Sequence, residues 1–313
     1  MRLAVVHSRH QDWVPALQAA EPRLEIRGWH PRDLEAMDPH WLAEAEGLFC
    51  WRLPSGLMAR MPRLRWVQNS GAGVDHLLAN PELPPHLPIS RADGAFGFWM
   101  ARYVAGHLLA EAQRLEPCAE AQQAGRWDPS ILPEDLTGQP ALVLGFGRIR
   151  RQIGRTLREL GLDVTGVVRA PRPDPEFPLI GVSGLGSHLG TARVLVLAAP
   201  LTPATRGLLG AGLLERGNAR LTLINVGRGE LVDPAAVLTA LNQGTLGRAV
   251  LDVFPEEPLS AASPFWRHPK VTVTPHHSGP STPRQLIPDI LPNLRAFAEG
   301  RSIPSVVDRV RGY

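Results

Sequence analysis

The chain has 313 residues, with 33 basic and 30 acidic side chains, a net charge of +3 and two cysteines. At roughly 100–200 residues per domain this length predicts two domains, and a 44% apolar, 20% charged balance excludes wholesale disorder. The 30 glycines and 31 prolines follow no period, which excludes a collagen-like chain, and two cysteines cannot build a dense disulfide framework or a four-thiolate zinc site.

Lys270 is the single lysine, so the basic side is almost wholly arginine. No arginine-rich tail or arm is present, and no nucleic-acid partner is expected. No uninterrupted run of about 20 apolar residues occurs, so no membrane span is expected. The opening MRLAVVHSRH lacks the apolar segment and cleavage site of a signal peptide. A reduced, cytoplasmic chain is the expectation.

In chain order, residues 3–6 predict a strand, 13–20 a helix, and 24–26, 47–50 and 64–67 further strands. Short apolar runs separated by helical connections predict a parallel sheet covered on both faces, here a small flavodoxin-like domain. Residues 98–115 (FWMARYVAGHLLAEAQRL) repeat apolar and small residues at helical spacing without an interior proline. They predict a long bridging helix. The stretch 124–140 reads as loop, because Pro, Asp and Gly recur closely. Strands are then predicted at 141–145, 163–168, 193–198, 221–225, 248–251 and 271–273. A helix over 148–160 is closed by Gly161. Repeated strand–helix units of this length predict a second doubly wound α/β domain. A helical pattern over 283–300 and the tail IPSVVDRVRGY predict a return to the first domain. The expected organisation is therefore 1–98, 99–280 and 281–313, with the middle domain inserted in the first.

Gly145-Phe146-Gly147 follows a strand and opens a helix. The first glycine permits a tight turn, and Gly147 lets backbone approach a pyrophosphate at the helix N-terminus. Arg148 and Ile149 complete that turn. The third position of GxGxxG holds Arg150, not glycine. About 20 residues beyond the first glycine, an NAD site usually places a carboxylate on the ribose. Here Arg169 and Arg172 follow the strand, and the first carboxylate is Asp174. Guanidinium groups match a 2′-phosphate, so NADPH is the favoured cofactor and NADH the alternative.

Six ordered stretches extend this reading. They are NSGAGVDHL at 69–77, LGFGRI at 144–149, LAAPLTPATRGLL at 197–209, INVGRGELVD at 224–233, LDVFPEEPL at 251–259 and TPHHSG at 274–279. Together they resemble the D-2-hydroxyacid dehydrogenase family, in particular its glyoxylate/hydroxypyruvate reductase branch. The resemblance implies a Rossmann dinucleotide-binding domain inserted in the substrate domain, and NADPH-dependent reduction of a small 2-oxo acid to the D-2-hydroxy acid. It implies a catalytic arginine at Arg228, its acidic partner at Glu257 and an acid/base histidine at His276. It also implies a substrate loop at Ser70, Gly71, Ala72 and Gly73. Pro200, Val226, Gly227 and Asp252 join the cofactor-facing groups, and a two-fold homodimer is implied. Arg150 and Arg102 depart from the family pattern.

The same residues have a chemical reading. Reducing a 2-oxo acid needs a cation for the carboxylate and ketone, a hydride donor, and a proton donor for the developing alkoxide. Arg228 offers a planar fork just past a strand end. An imidazole suits proton donation near neutral pH, so His276 is the candidate donor, and a nearby Glu257 would orient the ring and favour its charged form. Backbone N–H groups around Gly71 to Gly73 offer a small anion nest. By chemistry alone Glu256 competes with Glu257, and His277 with His276. Asp252 also reads as a group that orients its loop. Trp99, Met100 and Trp266 read equally as pocket walls or as core. No compact ligand set predicts a metal site. A nucleotide-sensing protein without catalysis is the alternative from another class.

Overall fold

The computed structural model describes residues 1–92, 94–310 and 312. The chain divides into two compact units, Met1–Phe96 with Pro280–Tyr313, and Gly97–Gly279.

The first unit holds a five-stranded sheet. Its strands are β1 (Arg2–Val6), β2 (Glu25–Trp29), β3 (Gly47–Cys50), β4 (Trp66–Asn69) and β5 (Ile89–Ser90). They pair in parallel in the order β2-β1-β3-β4-β5. Side chains alternate between the faces. Ala4, Val6, Leu48, Cys50 and Val67 pack with Met37, Trp41 and Leu42 on one face. Trp13 stacks against Phe49, and Trp66 against Phe297 of the helix Pro283–Ala298. Burial on both faces explains why these strands read as continuous apolar runs. The tail joins this sheet, where Val306 bridges Ser90 and Val307 donates its N–H to the Ile89 carbonyl at 2.8 Å.

The second unit holds seven strands. They are β6 (Pro140–Leu144), β7 (Asp163–Val168), β8 (Leu179–Gly181), β9 (Val194–Leu197), β10 (Asn218–Asn225), β11 (Leu246–Leu251) and β12 (Val271–Val273). All pairs are parallel, in the order β12-β11-β10-β9-β6-β7-β8. The chain winds outward from β6 to β8, then returns to β9 on the other side of β6. That reversal makes the β6/β9 pair the switch point, where open α/β sheets hold ligands beyond their carboxyl ends. Leu142, Leu195, Leu223, Val237, Leu241 and Leu251 lie in its core.

Several expected boundaries move. The long helix spans Phe96–Ala112, and a second helix spans Leu115–Gln123. The break has two visible causes. The Ala112 carbonyl takes the Glu134 N–H at 2.8 Å, and Arg114 adopts a left-handed φ of 56°. The strand expected at 64–67 lies two residues later, in register with β3 from Gly47↔Trp66 to Cys50↔Asn69. Strand β8, which follows four prolines between 171 and 178, was not expected. Trp99 and Trp266 are surface residues, at 39% and 52% exposure, so neither fills the core.

Candidate active site

Three neighbouring strand ends carry the three side chains expected to react. Arg228 follows β10, Glu257 follows β11 and His276 follows β12. Close packing fixes these loops against one another. A Cβ at Gly229 would lie 1.9 Å from the Phe254 carbonyl carbon, and one at Gly227 would lie 3.0 Å from the Ala199 oxygen. Gly229 therefore requires glycine, and Gly227 is tightly packed. Asn225 finishes the turn. Its Nδ2 donates to the Arg228 carbonyl at 2.9 Å, and its Oδ1 accepts the Gly227 N–H at 3.1 Å. Arg228 is half-buried, and its Nη1 donates to the Gly227 carbonyl at 2.8 Å.

Glu257 uses both oxygens. Oε1 accepts the Phe254 N–H at 3.0 Å, and Oε2 meets Nδ1 of His276 at 2.9 Å. Burial works to raise the Glu257 carboxyl. The hydrogen bonds from His276 and Phe254, with the charges of His276 and Arg228, outweigh it and hold the group below the usual glutamate range. Glu257 thus acts as an acceptor toward Nδ1 of His276. Glu256 is exposed. His277 turns to Tyr103, edge to face at 5.7 Å. The geometry therefore joins Glu257 to His276, the pair that composition left ambiguous.

His276 adopts φ 52°, a left-handed conformation that a non-glycine residue rarely takes. Its N–H donates to the Asp252 carbonyl at 2.9 Å. The Asp252 carboxylate accepts the N–H groups of His277 and Ser278, each at 2.9 Å, and the Thr274 hydroxyl at 2.6 Å. Tyr103 Oη lies 2.6 Å from that same hydroxyl. Asp252 is 0% exposed, and these bonds make it an anchor of the histidine loop. Thr274 and Tyr103 had no place in the sequence reading. Thr274 stands inside TPHH, a usable signal, whereas Tyr103 lies far away in the chain and carries none.

At the switch point, Gly145 takes φ 86°, and a Cβ there would meet the Ala199 Cα at 3.3 Å. Gly147 caps the helix Arg148–Glu159 and is exposed, as is Arg148. Ile149 is buried, so only its backbone can face a ligand. The Phe146 ring packs inward on Phe177 at 4.9 Å. A glycine cradle with open backbone at a helix N-terminus fits a dinucleotide diphosphate. Past β7, Arg169 and Arg172 are exposed. Asp174 is paired with Arg151 and accepts the N–H groups of Glu176 and Phe177, so the nearest carboxylate is spent internally. Pro200 is half-buried, and Val226 and Gly227 are buried.

In the first unit, Ser70 is buried, and its N–H goes to the Cys50 carbonyl at 2.9 Å. That amide is not available to an anion. Asn69 Nδ2 holds the carbonyls of Gly71 and Gly73 at 3.0 and 2.8 Å, and Arg91 holds that of Ala72 at 3.1 Å. The Trp51 ring covers Gly71, where a Cβ would lie 2.0 Å from it.

Residues 105–278 match the model of the D-isomer specific 2-hydroxyacid dehydrogenase NAD binding domain. A glyoxylate/hydroxypyruvate reductase A of Yersinia enterocolitica is 31% identical over 310 residues, covering 97% of this chain and 96% of the relative. The chain belongs to the D-isomer specific 2-hydroxyacid dehydrogenase family. A family member from Xanthobacter autotrophicus Py2, solved with NADPH and MES, superposes with a TM-score of 0.89. It is 35% identical and covers 100% of this chain and 99% of its own. An NADPH-dependent glyoxylate/hydroxypyruvate reductase of Sinorhizobium meliloti, solved with NADP and sulfate, gives 0.87 at 30% identity, covering 100% and 99%. Among the described residues of this family member, no group of three or more His, Cys, Asp or Glu could hold a metal ion, and no helix is long and apolar enough to cross a membrane.

Proposed function

We propose that this chain reduces small 2-oxo acids of the glyoxylate and hydroxypyruvate class to D-2-hydroxy acids with NADPH. The observation that carries the reading is the set of three adjacent strand ends presenting Arg228, Glu257 and His276, with Glu257 bonded to His276 at 2.9 Å. A bound reduced nicotinamide supplies the hydride to the carbonyl carbon. Arg228 holds the substrate carboxylate and polarises the ketone oxygen. Protonated His276 gives its Nε2 proton to the developing alkoxide, while Glu257 steadies the imidazolium through Nδ1. In the first unit, the N–H groups of Ala72 and Gly73, in a turn whose carbonyls are tied back, form a small anion nest. Gly145 to Ile149 hold the diphosphate through backbone. Arg169 and Arg172, with Asp174 withdrawn, favour the 2′-phosphate of NADPH. The relatives solved with NADPH and NADP support that choice.

We assign a homodimer. The stretch from Phe98 to Leu132 carries large exposed apolar side chains, including Leu115 at 57% and Trp127 at 95%, which a second copy would cover. Sedimentation equilibrium should return twice the chain mass; a concentration-independent monomer would remove this assignment. Two free cysteines, Cys50 buried and Cys118 exposed, fit the reducing cytoplasm in which we place the enzyme. The deciding experiment follows absorbance at 340 nm while NADPH and NADH are crossed with a panel of 2-oxo acids. Oxidation of NADPH by glyoxylate or hydroxypyruvate is expected. Folded protein that oxidises neither cofactor would turn the reading to nucleotide sensing.

A further inference from the structure

Arg150 stands where the dinucleotide fingerprint has its third glycine, a residue that normally lets helix and strand approach closely. In this fold that duty has moved. Ile149, Ile153 and Leu157 are the buried face of the helix Arg148–Glu159, and Gly154 makes the close approach, its Cβ position 3.1 Å from the Phe177 ring and 3.5 Å from Val164. Arg150 is turned to the other side, into the crevice at the switch point. Its Nε donates to the Ala198 carbonyl at 2.5 Å, just past β9. Its guanidinium covers the glycine turn just past β6. A Cβ at Gly145 would lie 3.2 Å from Nε, and one at Gly147 would lie 3.1 Å from Nη1. One side chain thus spans the carboxyl ends of the two strands that flank the ligand crevice.

We propose that Arg150 is a diphosphate-binding residue, a cation added to a cradle that otherwise works through backbone N–H groups and the helix N-terminus. The inference rests on the reading that this unit takes a nicotinamide dinucleotide. A guanidinium is a planar fork of N–H donors, and its Nε donates to the Ala198 carbonyl. That bond seats the base of the fork and places the guanidinium over Gly145 and Gly147, where phosphate oxygens approach. Because the diphosphate is common to both nicotinamide dinucleotides, Arg150 strengthens both equally. Arg169 and Arg172, by contrast, act on the 2′-phosphate alone.

The test measures dissociation constants by titration calorimetry on the full chain, with NADP+, NAD+ and ADP as probes. Arg150→Gln removes the charge and keeps most of the stem, and Arg150→Gly restores the third glycine. Both variants should bind all three probes about 10–100-fold more weakly, the scale of one charge-assisted phosphate contact. The ratio of NADP+ to NAD+ affinity should not change. The penalty should shrink as salt rises from about 0.05 M to about 0.5 M, which a packing defect would not do. If the glycine variant does not fold, the glutamine variant carries the test alone, with its melting temperature as the check. Equal or tighter binding by the variants would mean that Arg150 obstructs the crevice, and would overturn the proposal. A loss confined to NADP+ would move Arg150 to the 2′-phosphate and overturn it too. If the wild-type chain binds neither dinucleotide, the function reading itself falls; if it binds both and the variants match it, only this inference falls.

Discussion

At the carboxyl ends of β1, β3 and β4 the first unit places His7, Trp51 and the Gly71–Gly73 turn; at those of β10, β11 and β12 the second places Arg228, Glu257 and His276. Both edges belong to parallel sheets covered on two sides, yet their neighbours make them different solvents. His7 is packed against Trp13 and Phe49, at ring separations of 5.7 and 6.2 Å, and its Nδ1 accepts the Arg9 N–H at 3.0 Å. Burial, with the charges of Arg9 and His10 and against that of Asp12, pushes this imidazole down to about 4. His276 instead sits half-open to water and donates to a carboxylate. The comparison teaches that the edge of a parallel sheet can hold an imidazole in two settings, buried among aromatic rings or bonded to a carboxylate near water.

The largest effect should come from the second edge. His276→Ala should slow hydride transfer about 100–10,000-fold in stopped-flow single turnovers while still binding NADPH. His277→Ala, whose ring faces Tyr103, should be far milder. The reverse order would mean that the Glu257 contact does not mark the proton donor.

The first edge should answer in stability, not rate. Between about pH 6.5 and 4 the unfolded chain protonates His7 and the folded chain does not, so stability falls as pH falls through that window. The loss should reach roughly 2–3 kcal/mol below the lower value. His7→Asn, which keeps an acceptor for the Arg9 N–H, should flatten that part of the curve in urea melts taken across pH. An unchanged slope would show that another group titrates there.

A smaller effect separates cofactor choice from both edges. Arg169→Ala with Arg172→Ala should weaken NADPH roughly 10-fold and leave NADH nearly unchanged, because exposed guanidiniums act through a screened charge. Equal losses with both cofactors, measured by fluorescence titration, would assign the pair to the fold or to the shared part of the dinucleotide.

Much of this was legible in the chain. Continuous apolar runs marked β1, β3, β6 and β9, because strands buried on two faces leave no polar alternation. The short β5 and the proline-flanked β8 left no such trace, and their pairing with β4 and β7 is what defines them. At the site, NVGRG and TPHH pointed to Arg228 and His276, and Glu257 could be preferred to Glu256 only through the family pattern. The work of Asp252 was half legible: its sequence position fitted a ligand contact as well as a loop anchor, and its hydrogen bonds show the anchor. Tyr103 and the turned side chain of Arg150 depend on contacts 171 and 48 residues away, which no local pattern encodes.

The central claim is that Glu257 and His276 act as one proton-donating pair. It is tested most directly by the pH profile of single-turnover 2-oxo acid reduction in the wild-type chain and in Glu257→Gln. The rate should fall as rising pH strips the proton that the pair delivers. Removing the carboxylate charge should move that fall to lower pH, while glutamine keeps a hydrogen-bonding group beside Nδ1. A profile that stays in place in Glu257→Gln would contradict the account, because the carboxylate would then have no hold on the proton.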